Sequence, residues 1–294
     1  MRDHEEGYFP RGASVLRRVH EEKAVGLMYG QRALCIGALK PLNYVGTSAH
    51  SREKSTPFRR LSRTGEMLET VFIGTRAEAD RVLTLVKRMH VGVIGTLPED
   101  AGPHYPAGTP YSANDPEQML WTVAVIADSA EWFYDRLVRR LGDAERESLW
   151  QDYLRFAELF GMPRDAAPAS YGEFRAWYEA QLAGDDLYLT EEARYMGYAS
   201  AFEIPVPASR RPGKHVHDLI MLGSLPPRVR ELYGLRYTPI DALACEAILN
   251  AARLSRPFIP RGLTRGSCVQ EFRMVAETER GRIARGQRTP GIVG

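Results

Sequence analysis

Cysteine is scarce. The three in 294 residues, Cys35, Cys245 and Cys268, stand far apart with no C-x-x-C spacing. That excludes a disulfide framework and a zinc ribbon, and leaves reduced core thiols. Long apolar runs are missing too: the longest, Met119 to Ala127, falls far short of a bilayer span. Neither sign of charge prevails, with 39 basic against 37 acidic residues and a formal net charge of +2. Nucleic acid is therefore not an expected partner, because its footprint needs a basic surplus on one face. No G-x-G-x-x-G follows a strand, and no G-x-S-x-G occurs. Alternating runs joined by N-G or D-G turns are absent, as are internal repeats. Met1 to Gly12 is polar and acidic without the apolar centre of a signal peptide, so a cytoplasmic location is expected.

What remains is helical punctuation. Hydrophobic residues make up 44% and charged residues 26%, the balance of a globular chain. The pattern predicts an all-α fold: one helical bundle domain over residues 14–285 with about ten helices, a flexible N-terminus over 1–13 and a flexible C-terminus over 286–294. Ser14 to Met28 reads as a first helix and Gln31 to Leu39 as a buried one ended by Pro41, with a loop through His50 and Ser51 after it. Asp115-Pro116-Glu117 opens a helix that is apolar nearly all round and belongs in the middle of the bundle. Further helices are expected over Asp143–Phe160, from Ser170 with its capping Glu173, from Thr190, over Lys214–Gly223, from Pro226-Pro227, and from Thr238-Pro239.

The stretch from Ser55 to Gly95 organises the rest. It reads as two helices broken at Gly74. Thr56 and Pro57 suit the start of the first, and Thr75 with Glu78 forms a capping box for the second. On a helical wheel Leu61, Met67, Leu68, Val71 and Phe72 share one side of the first helix. Arg59, Ser62, Glu66, Glu69 and Thr70 share the other. Arg60 and Thr64 fall inside the apolar stripe, one turn apart. On the second helix Ala79, Val82, Leu83, Val86 and Val93 form the apolar face, with His90 in its middle. A guanidinium on a core-facing stripe is costly unless paired. Haem answers both needs, with an iron seeking an axial nitrogen and propionates seeking cations or hydroxyls. The plain alternative is a hydrogen-bonded core histidine.

Other constellations are weaker. His215 and His217 would point apart on a helix and ligate a metal only from extended backbone. The carboxylate pairs Asp185-Asp186 and Glu191-Glu192 sit at loop and helix-start positions.

R-L-S-R-T (Arg60 to Thr64), V-F-I-G-T-R-A-E-A and R-M-H-V-G-V-I-G ending at Gly95 follow one another in order. So do Y-G-Q-R-A-L-C-I-G-A-L-K-P, Y-S-A-N-D-P-E-Q-M-L-W (Tyr111 to Trp121) and L-P-P-R-V-R-E-L-Y-G-L (Leu225 to Leu235). Together, over roughly residues 25 to 255, they resemble the latex clearing proteins, the rubber oxygenases, whose domain is shared with the fungal mycophenolic acid oxygenase MpaB. The resemblance implies an all-α haem b enzyme acting with dioxygen, its bundle enclosing a haem pocket. It implies His90 as the iron ligand and Arg60 and Thr64 as cofactor-binding residues. Arg63 and Thr64 become the candidate catalytic residues. A small apolar substrate and dioxygen are the implied partners, with an electron donor as a third. Two positions depart from the family pattern: Val123 and Lys40 stand where relatives commonly carry histidine. A non-catalytic haem carrier or sensor is the alternative, and Val123 is the departure that favours it. Leu61, Met67, Val86, Met119 and Val123 are expected to wall the pocket. His20, His50 and His104 are candidates for a second axial ligand.

Overall fold

The computed structural model describes residues 6–51 and 55–291. The expected frayed ends at residues 1–5 and 292–294 lie outside the described residues. Among the described residues the chain is all-α, with fifteen α-helical segments and one two-stranded antiparallel ribbon. In order these are α1 (Val15–His20), α2 (Lys23–Gly26), α3 (Tyr29–Gly37), α4 (Pro41–Ala49), α5 (Pro57–Ile73), α6 (Arg76–Val91), β1 (Ile94–Thr96) and β2 (Pro110–Ser112). There follow α7 (Pro116–Leu137), α8 (Asp143–Phe160), α9 (Tyr171–Ala183), α10 (Glu191–Phe202), α11 (Arg211–Ser224) and α12 (Pro227–Tyr233). The last are α13 (Pro239–Ser255), α14 (Arg261–Thr264) and α15 (Val269–Ala284).

Helix α7 is the axis of the bundle. Asp115 caps it by accepting from the N–H groups of Glu117 and Gln118 at 3.0 and 3.1 Å, and Pro116 occupies its first turn. From Met119 to Ala130 every residue but Thr122 is buried. That requires helices on all sides, and α1, α2, α3, α4, α8 and α13 supply them. At its centre the buried Arg32 of α3 donates to Asp128 of α7 at 2.6 Å, and Arg175 of α9 donates to the other carboxylate oxygen. Burial works against ionisation of Asp128. Arg32 and Arg175 outweigh it and hold the carboxyl below its ordinary range.

The structure corrects several sequence expectations. The first helix is broken in two after His20, where Glu22 pairs across a bridge with Arg265. The Glu22 carboxylate is fully buried and accepts from Arg256 and Arg265, so a polar group interrupts the helix for a partner far along the chain. The segment after Pro41 is helix rather than loop, because Pro41 sits at a first-turn position, where its missing N–H costs nothing. The turn-rich segment after Gly95 contains one short ribbon, Ile94–Thr96 paired with Pro110–Ser112. Tyr8 and Phe9, within the N-terminus expected to be flexible, are held: Tyr8 donates to Asp80, and Phe9 is buried against Phe72 at 6.3 Å between ring centroids.

The largest correction concerns α15, a helix the sequence left unassigned. It packs along α5 on the face that the wheel assigned to solvent. Ser62 there is buried, its hydroxyl 2.7 Å from the Phe272 carbonyl, and Glu69 accepts from the Cys268 N–H at 2.8 Å. Gly65 permits this approach, since a Cβ in its place would lie 2.9 Å from the Phe272 ring. Thr56 makes no side-chain cap. Instead Glu279 of α15 accepts from the N–H groups of Phe58 and Arg59 at 3.1 and 2.8 Å.

Candidate functional site

Helices α5 and α6 form an antiparallel hairpin. Gly74 closes it: a Cβ there would fall 2.5 Å from the Thr70 carbonyl oxygen, so no other residue fits this turn unstrained. Thr75 then caps α6 with the full reciprocal box, accepting from Glu78 N–H while the Glu78 carboxylate accepts from Thr75 N–H at 2.9 Å.

This connection sets the site. Arg60 lies fourteen residues before Gly74 and His90 fifteen after Thr75. At about 1.5 Å per residue both stand roughly 21–23 Å from the turn, at the open end of the hairpin. The end of α4 joins them. Arg60 Nη1 donates to the Thr47 carbonyl at 3.2 Å and to Ser51 Oγ at 2.8 Å. The adjacent Gly46 packs against Val93, within 3.5 Å of where its Cβ would be, and Val93 N–H donates to the His90 carbonyl at 3.0 Å. His50 bonds Tyr111 Oη at 3.2 Å beside the same glycine.

The two helices are covered unevenly. Near the turn Val71, Phe72 and Ala79 are buried, as are Leu83 and Val86 further along α6. At the open end Leu61 is only half-buried, and Met89 and Val91 are exposed. The apolar stripes thus run past the edge of the core at the level of Arg60 and His90. Thr64 and Arg63 are exposed there. The wheel's placement of Thr64 on a covered stripe does not hold: α15 covers that turn on the side of Ser62 and Gly65, and Thr64 is left exposed.

His90 is half-buried, and its Nδ1 is buried with no hydrogen-bond partner among the described residues. Burial pushes the imidazole below its usual range, so it is neutral near pH 7 with a lone pair to offer. Arg60 makes no ion pair with any carboxylate among the described residues. Burial lowers its guanidinium, with Tyr44 acting the other way. An orphaned imidazole nitrogen and a half-buried cation without an anion fit a group that brings both a metal and carboxylates. Among the described residues no three His, Cys, Asp or Glu side chains cluster to hold a bare metal ion. A metal at His90 would therefore bring most of its other ligands with it, as a porphyrin does.

The remaining sequence candidates disperse. His20, a candidate second axial ligand, is a core residue. It is buried, bonded to Tyr153 Oη at 2.7 Å and stacked on Phe72 at 4.1 Å, and burial pushes its pKa down to about 3. His104 faces Asp185 at 3.4 Å. His217 sits on helix α11, with its two nitrogens on Asp218 and Gln31 at 3.0 and 2.6 Å. Met119 and Val123 are buried on α7. Lys40 is buried, ion-paired with Asp186 and bonded to Gln181, with its ammonium 5.6 Å from the Trp121 ring. Two clefts lie elsewhere: one over the hairpin turn is lined by Glu69, Thr70, Ile73, Glu78, Arg81 and Val82, and another by Asp135, Arg140, Arg146 and Arg253. Sequence reading missed two residues that hold the site in place, Ser51 and Glu279. A buried glutamate in the last helix, 220 residues beyond the helix start it caps, carries no local signal of what it caps.

The catalytic-domain model shared by the ER-bound oxygenases mpaB and B′ and the rubber oxygenases matches residues 17–254. Helix α15 lies wholly beyond the match. Uncharacterized protein Rv2237 of Mycobacterium tuberculosis is 25% identical over 208 residues, covering 69% of this chain and 76% of its own length. Uncharacterized protein Mb2261 of Mycobacterium bovis is similar to the same extent. No solved structure matches the chain.

Proposed function

The chain belongs to the mpaB/rubber oxygenase catalytic-domain family, and from that premise we propose that it is a haem b-dependent oxygenase acting with dioxygen on a small apolar substrate. The observation that carries the reading is the pair formed at the open end of the α5–α6 hairpin. There, among the described residues, His90 Nδ1 is buried without a partner and Arg60 meets no carboxylate. When bound, haem would supply an iron able to react with dioxygen.

The chain's own residues have separable tasks. His90, neutral at pH 7, would hold the iron through a ring nitrogen. Arg60 is steadied by Thr47 and Ser51 but not neutralised by them, which suits it to a propionate. Thr64, one turn on, offers a hydroxyl on the same side, and Arg63 a second cation at its edge. The half-buried Leu61 and Met67 and the exposed Met89 provide apolar surface that would exclude water from a bound substrate. An electron donor is a further expected partner. No helix among the described residues is long and apolar enough to cross a membrane.

A specific feature favours the second reading, a haem carrier or sensor: Val123 replaces a histidine common in relatives and is buried in the core. Reconstitution with haem separates the outcomes. A Soret band that His90→Ala abolishes or shifts supports haem ligation, and an unaltered spectrum in that variant sinks it. Rapid carbon monoxide binding by the reduced protein supports an open sixth position. A slow reaction limited by loss of a second strong ligand favours the carrier.

A further inference from the structure

We infer that the outer face of α13 is the interface of a two-fold homodimer, with the helices of the two copies antiparallel. This rests on surface chemistry away from His90 and does not depend on the haem reading.

Helix α13 is anchored by Cys245 and Leu249, both buried, and packs on α7 and α11. Its opposite face is apolar where a solvent face should be polar. Ile240, Leu243 and Leu254 leave 77, 73 and 72% of their surface exposed, and Phe258, just past the helix end, leaves 87%. These are not scattered. Ile240, Leu243, Ala247, Asn250 and Leu254 repeat at alternating steps of three and four, a seam five positions long. Isolated exposed leucines are ordinary, whereas a heptad-spaced row on one helix is the pattern of a helix pair.

The occupant is read from the seam's own symmetry. A two-fold axis beside the middle of the helix sets Leu243 opposite Leu254 of the second copy, and Ala247 opposite Asn250. Ile240 then meets the end of the partner helix, where Phe258 stands. The same register brings Glu246, on the flank of the seam, beside Arg253 of the second copy, and symmetry makes that pair twice. Arg253 is exposed and makes no ion pair among the described residues. Glu246 remains about half exposed even with its bond to Arg136. Thus the face is complementary to itself in shape and in charge, as a closed isologous contact demands. Asn250 is the one polar residue in the seam, a device that fixes register at some cost in stability. The exposed side chains offer on the order of 600 Å² per protomer, which puts the pair near the lower edge of specific interfaces at about 1,200 Å². That size predicts a reversible dimer rather than an obligate one.

Sedimentation velocity on the full chain, from about 1 to about 100 μM, tests it. The expected result is a monomer–dimer equilibrium within that range. Leu243→Asp with Leu254→Asp should leave a folded monomer throughout, since both residues are exposed. Arg253→Glu should raise the dissociation constant about tenfold, and adding Glu246→Arg should restore it. A wild type that stays monomeric throughout overturns the proposal. So does a dimer that survives the double aspartate variant. A monomer that floats with phosphatidylcholine vesicles would assign the stripe to a lipid surface instead, and overturns it equally.

Discussion

The carboxylate of Glu279 caps α5 through the backbone N–H of Arg59, at 2.8 Å, across 220 residues of chain. It also accepts from Phe58 N–H, and it is fully buried. The first turn of the helix that carries Arg60, Arg63 and Thr64 is therefore fixed by the last helix of the chain. Removal of Glu279 by Glu279→Ala should leave two N–H donors unsatisfied in a buried place. The expected loss is about 1–3 kcal/mol in urea denaturation, with Glu279→Gln losing less. Because α15 lies beyond the family match, a truncation after Pro260 should destabilise α5 as well. An unchanged midpoint in Glu279→Ala would show that the cap contributes nothing.

Arg60 and its neighbour Arg59 provide an internal control. Arg60 is half-buried against Thr47 and Ser51, whereas Arg59 is exposed. Arg60→Ala should weaken haem binding by about 2–5 kcal/mol, through a carboxylate left without its cation, and Arg60→Lys should recover part of that. Arg59→Ala should leave the affinity unchanged. Haem titration followed by absorbance reads both, and equal losses in the two variants would refute the registration of α5.

His20 makes stability depend on pH. Its folded pKa is pushed down to about 3 by burial, while in the unfolded chain it is near 6.5. Between those values the unfolded state binds a proton that the folded state does not. Stability is therefore fully present above pH 6.5 and falls as pH drops through that window, by about 1.4 kcal/mol per unit from this one group. His20→Gln should flatten the decline between pH 6.5 and 5, where the carboxylates are still ionised. Matching slopes in variant and wild type would mean that His20 is protonated in the fold.

Asp128 holds two arginines. Asp128→Ala should leave Arg32 buried without its counter-charge and cost about 3–5 kcal/mol. Asp128→Asn should lose nearly as much, since an amide keeps the shape but not the charge. The carboxyl is held below its ordinary range, so its contribution is present above the unfolded pKa and is lost as pH falls through the folded one. Chemical denaturation at pH 7 measures the loss, and a variant within 1 kcal/mol of wild type would count against the network, given that estimate.

The sequence by itself determined the helices whose ends are written locally. Asp115-Pro116, Thr75 with Glu78, and Thr238-Pro239 each place a cap and its partner within one turn, so they need no distant chain to be read. It also determined the hairpin register: Gly74 and two helix lengths suffice to bring Arg60 and His90 to one end. The tertiary structure decided whatever depends on a partner far along the chain. Ser62, Glu66 and Glu69 looked like a solvent face because periodicity counts polarity, and a polar face satisfied by α15 has the same pattern as one satisfied by water. Likewise the sequence offered His20 as a candidate axial ligand, and it became a core residue only when Tyr153 and Phe72 closed around it. The exposure of Thr64, the lack of a partner for His90 Nδ1 among the described residues and the bare seam of α13 belong to the same class. A wheel says which residues share a side; only the packing of other helices says what stands opposite them.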